Sequence, residues 1–252
     1  MYWEICLFFL GIAFVYSSVG FGGGSSYLAL LAVYGLPYQE LRLIALLCNV
    51  IVVTGGVWVY VQAKQLDWRK TMPLVLTSVP MAYLGAIVKI SQTTFFVLLG
   101  VSLMIAALLL WFEKKGGGTS DRVHSQEKST LRDISFGGTI GFLSGMVGIG
   151  GGIFLSPFLN LTRWDTAKKI AATASLFILV NSLAGIVGQL SKLPAQVDSV
   201  RLGLLCLAVL IGGQLGARVS ITWNPRLIKR ITAILVFIAG SNVLLKHVPD
   251  MF

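Results

Sequence analysis

Val19-Gly20-Phe21-Gly22-Gly23-Gly24-Ser25-Ser26 interrupts an apolar stretch near the start of this sequence, and Val147-Gly148-Ile149-Gly150-Gly151-Gly152-Ile153 does the same 128 residues later. Glycine permits sharp turns and close backbone approach, so three in succession end one helix and let another begin. The surroundings make that unusual. Of 252 residues, 56% are hydrophobic and 12% charged, and the mean hydropathy is +0.82, which places the chain among membrane proteins. Hydrocarbon offers no partner to an exposed backbone N–H or C=O, so the apolar segments must be helices.

Ten such segments are predicted, at 2–18, 25–35, 41–61, 72–90, 94–112, 134–147, 153–160, 167–190, 200–217 and 227–245. Six run 18 to 24 residues, close to the ~20 that cross a bilayer core. The other four form two pairs, 2–18 with 25–35 and 134–147 with 153–160, each hinged on a glycine run. The polar connector 113–132 separates a first repeat, 1–112, from a second, 133–252. A second match joins Tyr83-Leu84-Gly85-Ala86 to Gln214-Leu215-Gly216-Ala217 at an offset of 131, a register that also pairs Asp67 with Asp198.

Each half holds three full spans and one broken pair that returns the chain to its starting side. An odd number of crossings inverts the second half relative to the first. The expected fold is therefore an all-α integral membrane protein of two inverted repeats, each with a glycine-broken short-helix pair plus three spanning helices. Connectors assigned to one side, 62–70, 113–132, 161–169 and 218–230, carry fifteen of the twenty Lys and Arg. Arg42, Lys89, Lys192, Arg201 and Lys246 fall on the other. The excess of positive charge marks the cytoplasmic side, which puts both termini outside a cell membrane. The net charge of +10 is thus a topology signal, and no nucleic acid is expected as a partner. The start, Met1-Tyr2-Trp3-Glu4, lacks the basic leader of a cleaved signal peptide and is expected to be retained.

Several chemistries are disfavoured. All ten acids fall at segment ends or in connectors, leaving no carboxylate relay in mid-membrane. Cys6, Cys48 and Cys206 lie in apolar segments without CxxC spacing, and His124 and His247 lie in polar connectors. Neither a metal site, a cofactor site nor a nucleophile–base set is expected, so the chain does not read as an enzyme.

An anion is the ligand the remaining features suit. A helix begun in mid-membrane at Ser25 or Ile153 presents unpaired N–H groups and about half a positive charge. In inverted repeats such starts face each other near the midplane. The candidate binding residues are Gly22, Gly23, Gly24, Ser25, Ser26, Gly150, Gly151, Gly152 and Ile153, with Asn49, Thr173, Ser175 and Asn181 near the middle of spans 41–61 and 167–190. Amides and hydroxyls there can donate to an oxyanion without a fixed buried charge. The bland alternatives are glycines that only allow close helix packing and polar residues that only tie helices together.

The doubled VGxGGG motif, the prolines at Pro37 and Pro157, the connector Gln65-Leu66-Asp67-Trp68-Arg69 and the Leu-Gly-Ala motifs together resemble the sulfite exporter TauE/SafE family of membrane transporters, over essentially the whole chain. The resemblance implies a permease for sulfite, sulfonates or related small anions, sited between two halves. It places the family's glycine motifs on Gly20 to Gly24 and Gly148 to Gly152, and its polar helix on Asn49 and on Thr173 to Asn181. The first half departs from it, with Leu46-Leu47-Cys48-Asn49 where the second has Ala172-Thr173-Ala174-Ser175. The expected partners are a small anionic substrate and the lipid bilayer, and a homo-oligomer is left open. An anion channel and a non-transporting membrane scaffold are the competing readings.

Overall fold

The computed structural model describes residues 2–112, 130–162, 164–190, 198–219 and 225–247. Most of the connector 113–132, together with Arg163 and Lys192, lies outside the described residues. Among the described residues there are ten α-helices: α1 Tyr2–Ser17, α2 Gly24–Val33, α3 Tyr38–Gln62, α4 Trp68–Ile87, α5 Gln92–Trp111, α6 Thr130–Val147, α7 Gly152–Leu161, α8 Ala167–Gln189, α9 Ser199–Val219 and α10 Pro225–His247. Every apolar segment of the sequence becomes one helix. Four of them, α3, α5, α8 and α9, are both long and apolar enough to cross a membrane. The sequence reading expected six. Of the other two, α4 has the length, but Arg69, Lys70 and two prolines lie within it, and the side chains of 225–229, the first turn of α10, lie outside the described residues.

Helix packing follows a regular scheme. The main partners are α1 with α9 and α4 with α6, α3 with α9 and α8 with α4, α2 with α3 and α7 with α8, α2 with α10 and α7 with α5, and α3 with α8 and α5 with α10. Exchanging α1–α5 for α6–α10 converts each pair into its counterpart or into itself. The two halves of the chain are therefore interlocked, each helix of one packed on helices of the other.

Small residues make that contact close. A Cβ added at Gly212 or Gly216 of α9 would collide with the carbonyls of Leu10 or Phe14 in α1. The equivalent α4–α6 contact sets Gly141 and Gly145 on the carbonyls of Ser78 and Ala82, and Gly85 on that of Phe142. In lipid, where apolar surface gives no drive between helices, such backbone approach is a principal source of association. The centre is filled by Phe9, Tyr27, Leu31, Ile44, Phe95 and Leu99. Outward faces stay apolar, with Leu76, Leu108, Val187, Ile211 and Ile238 exposed, and Trp3, Trp58, Trp68 and Trp111 near helix ends, as a lipid boundary requires.

The ends of the long helices are matched as well. Asp67 caps α4 by accepting the Lys70 N–H, and Asp198 accepts those of Val200 and Arg201 at the start of α9. Lys70 then pairs with Asp165 at 2.6 Å, and Arg201 with Glu40. Burial alone would raise the Asp165 carboxyl, but hydrogen bonds from Lys70 and Thr166 and the charges of Lys70 and Lys169 more than offset it and hold it below its ordinary value.

Candidate functional site

The two glycine runs form the same turn twice. At the end of α1 the Phe21 N–H reaches back to the Tyr16 carbonyl, and at the end of α6 the Ile149 N–H reaches the Ser144 carbonyl, both across a left-handed glycine, Gly20 or Gly148. The next helix starts on another left-handed glycine. Gly23 caps α2 at φ 85 and Gly151 caps α7 at φ 80, conformations an L side chain rarely adopts. The carbonyl of each cap takes the N–H groups three and four residues on, Ser26 and Tyr27 in one case and Phe154 and Leu155 in the other. The N–H groups of Gly24, Ser25, Gly152 and Ile153 thus belong to the open helix ends.

Each turn is tied by a long helix of the opposite half. Ser175 of α8 donates to the Gly20 carbonyl at 2.7 Å, and Asn49 of α3 donates through Nδ2 to the Ile149 carbonyl at 3.0 Å. Asn49 is completely buried. Its amide packs on Gly22, Gly24 and Gly150, and a methyl group added at Gly150 would lie 2.9 Å from Asn49 Nδ2 and 3.0 Å from Ser182 Oγ. The structure therefore brings Asn49, both glycine turns and Ser182 to one place.

It assigns the other expected residues different tasks. Ser26 Oγ shares a hydrogen bond with Tyr16 at 2.6 Å and Ser25 Oγ donates to the same phenol at 3.4 Å. Thr173 is bonded to Thr71 of α4 at 3.1 Å, and Ser175 is committed to Gly20. Substituents on Gly23 and Gly151 would run into Tyr27 and into Phe177 and Ser144, away from Asn49, while Gly22, Gly24, Gly150 and Gly152 face Asn49 or Ile178. The counterpart of Asn49 is Ile178, which packs on Gly150, Gly152 and Gly22 as Asn49 packs on Gly22, Gly24 and Gly150. The sequence alignment had set Asn49 against Ser175; the helical register in space sets Leu46 there instead.

A second property sets this region apart. Asn49 Oδ1, both polar atoms of Asn181, Ser182 Oγ, Ser144 Oγ and the Tyr27 hydroxyl are buried without a hydrogen-bond partner. A native interior leaves few such atoms, since each costs about 1–3 kcal/mol. Of these, Ser144, Tyr27 and Ser182 are not among the candidates that the sequence offers. The available signal was serine or tyrosine next to a glycine break, which on its own is too common to select them. At the glycine turns, the second N–H of Asn49, the Ser182 hydroxyl and the open helix ends are uncharged donors of the kind that suits an oxyanion.

A family model described as sulfite exporter TauE/SafE matches residues 5–243. The chain belongs to the sulfite exporter TauE/SafE family. Among relatives in this family's range, a probable membrane transporter protein, y4hK, of Sinorhizobium fredii is 28% identical over 95% of this chain and 97% of its own length. The probable membrane transporter protein YunE of Bacillus subtilis is 24% identical over 77% of each chain. A third, MJ0441 of Methanocaldococcus jannaschii, is 21% identical over 74% of this chain and 72% of its own. No solved structure matches significantly. TauE/SafE membership makes this a membrane protein of a transporter family, and the matched region spans both glycine turns and all of α3 and α8.

Proposed function

We propose that this chain is a secondary transporter of small anions, sulfur-containing oxyanions such as sulfite or organosulfonates foremost, working by alternating access between two inverted repeats. The observation that carries the reading is the meeting of two helix starts at Asn49, each turn held by a helix of the other half, beside buried donors without partners. Anions bind where helix N-termini converge, and uncharged donors release them more readily than a fixed cation would.

Inversion is supported by the matched ion pairs. Glu40, bound to Arg201, stands at the start of α3, and Lys70, bound to Asp165, follows its end. A 25-residue helix is about 37 Å long, so equivalent features of the two halves lie at opposite ends of a membrane-crossing length. The charge count supports a Lys70 face toward the cytoplasm and both termini outside, in a cell membrane. The two repeats then rock about the cross-tied turns.

The test is sulfite transport by the purified protein in proteoliposomes. Saturable uptake, with counterflow of labelled sulfite against an unlabelled interior pool, is the expected result. Flux that neither saturates nor shows counterflow identifies an anion channel, and no flux of sulfite, sulfonates or small carboxylates leaves the scaffold reading standing.

A further inference from the structure

Arg42 was counted in the sequence only as one of five basic residues on the sparsely charged side. In the structure its guanidinium is buried, with only 3% of the residue exposed. One Nη donates to the Gly145 carbonyl at 2.8 Å, and the group lies 5.8 Å from the centre of the Phe95 ring. Its Nε has no partner, and no carboxylate among the described residues forms an ion pair with it. The nearest acid in sequence, Glu40, is taken by Arg201. A buried cation without a counter-charge costs several kcal/mol, so its presence calls for a compensating anion.

Arg42 lines a pocket together with Tyr38, Gln39, Val88, Lys89 and Gln189, at the start of α3 and the ends of α4 and α8. Gln189 is buried too, and its Nε2 is without a partner. Lys89 is exposed and supplies a second positive charge at the rim. A guanidinium edge, an amide donor and an ammonium around one small pocket are the recognition chemistry of an oxyanion.

The pocket is in line with the proposed site. Arg42 and Asn49 are seven residues apart on α3, hence on one face and about 10 Å apart along the axis. Gln189 and Ser182 have the same spacing on α8, which runs the other way. Asn49 and Ser182 meet at Gly150, and the side chain of Arg42 lies 3.3 Å from where a Cβ on Gly148 would stand. Two polar pairs, Arg42 with Gln189 and Asn49 with Ser182, therefore descend from the mouth to the glycine turns. The four counterpart positions at the opposite mouth carry no charged side chain. There the counterparts are Ala171, which takes the place at Gly20 that Arg42 takes at Gly148, then Tyr60, Val53 and Ile178.

We propose that the Arg42–Gln189–Lys89 pocket is a second anion site, an outer station that holds the oxyanion of the solute at this mouth before it passes to Asn49. This rests on the reading of the chain as an anion transporter. The shared chemistry of sulfite and of a phospholipid phosphate makes the lipid headgroup the competing occupant.

Equilibrium binding of labelled sulfite to the full-length protein in neutral detergent tests it, with and without phosphatidylglycerol. Arg42→Gln should weaken binding by about tenfold or more, the loss expected for a charge-assisted contact, and Arg42→Lys by less. Gln189→Glu, nearly isosteric, places a carboxylate in the Arg42 pocket and should weaken binding comparably while the protein stays folded. Asn49→Leu should cut transport at least tenfold yet keep the binding that Arg42→Gln weakens. Sulfite binding equal to wild type in both Arg42→Gln and Gln189→Glu overturns the proposal, as does Arg42-dependent binding of phosphatidylglycerol without sulfite. A wild type that binds sulfite through Arg42 but never transports it would sink the transporter reading alone.

Discussion

Replacing Asn49 by Leu separates a ligand-binding amide from a packing one. The two side chains share one branched heavy-atom skeleton, so the space between the glycine turns stays filled. The variant loses the 3.0 Å bond to the Ile149 carbonyl and leaves that acceptor unpaired, together a cost of about 1–3 kcal/mol. It also removes the buried, unpartnered Oδ1, a relief of about 1–3 kcal/mol. The two nearly cancel, and at about 2–4 °C per kcal/mol for a chain of this size the melting temperature in detergent should move by no more than about 5 °C. Transport should not be spared. An amide donor to an oxyanion contributes about 1.5–3 kcal/mol, so sulfite uptake at subsaturating concentration should fall roughly 10- to 150-fold. Uptake by proteoliposomes and a thermal unfolding scan on the same preparation are the assays. Native uptake with an unchanged melting temperature would refute a binding role, and a collapse of both would make Asn49 a structural tie.

Gly145→Val should destabilise far more than Asn49→Leu, because its side chain enters the Ala82 carbonyl where α6 crosses α4; yield and melting temperature should drop together, and a variant as stable as wild type would contradict that packing. Asp165 is held below its ordinary value in the folded state, so the stability it contributes is present above the unfolded carboxylate value of about 4 and is lost as pH falls through the lower folded value. Asp165→Asn should therefore flatten the acid limb of a stability–pH curve below about pH 4 and leave its shape between pH 6 and 8 unchanged. Ser120→Cys, in the long connector, should resist an impermeant thiol reagent in intact cells and react after permeabilisation; labelling from outside would invert the assigned topology. Gly24→Ala should reduce transport more than Ser25→Ala, since the added methyl displaces the Asn49 amide while the serine loses only a bond to Tyr16.

Much of this protein was legible without coordinates because the signals are local. An apolar run of given length must be a helix in hydrocarbon, and a triple glycine inside one must break it, so all ten helices and both turns could be placed from the sequence. The class of membrane protein followed from the same pattern, and Asn49 stood out by its place in mid-span. Which face of a helix meets which neighbour is a different kind of fact, set by backbone contacts between residues far apart in the chain, such as Gly216 on Phe14 or Gly85 on Phe142. Only that packing decided that Ser25, Ser26, Thr173 and Ser175 spend their hydroxyls on Tyr16, Thr71 and Gly20, whereas Ser182 joins Asn49. It also turned Arg42 from a topology charge into a buried cation. A side chain's type is written in the chain, but whether its hydrogen bonds are already taken depends on the helices that close around it.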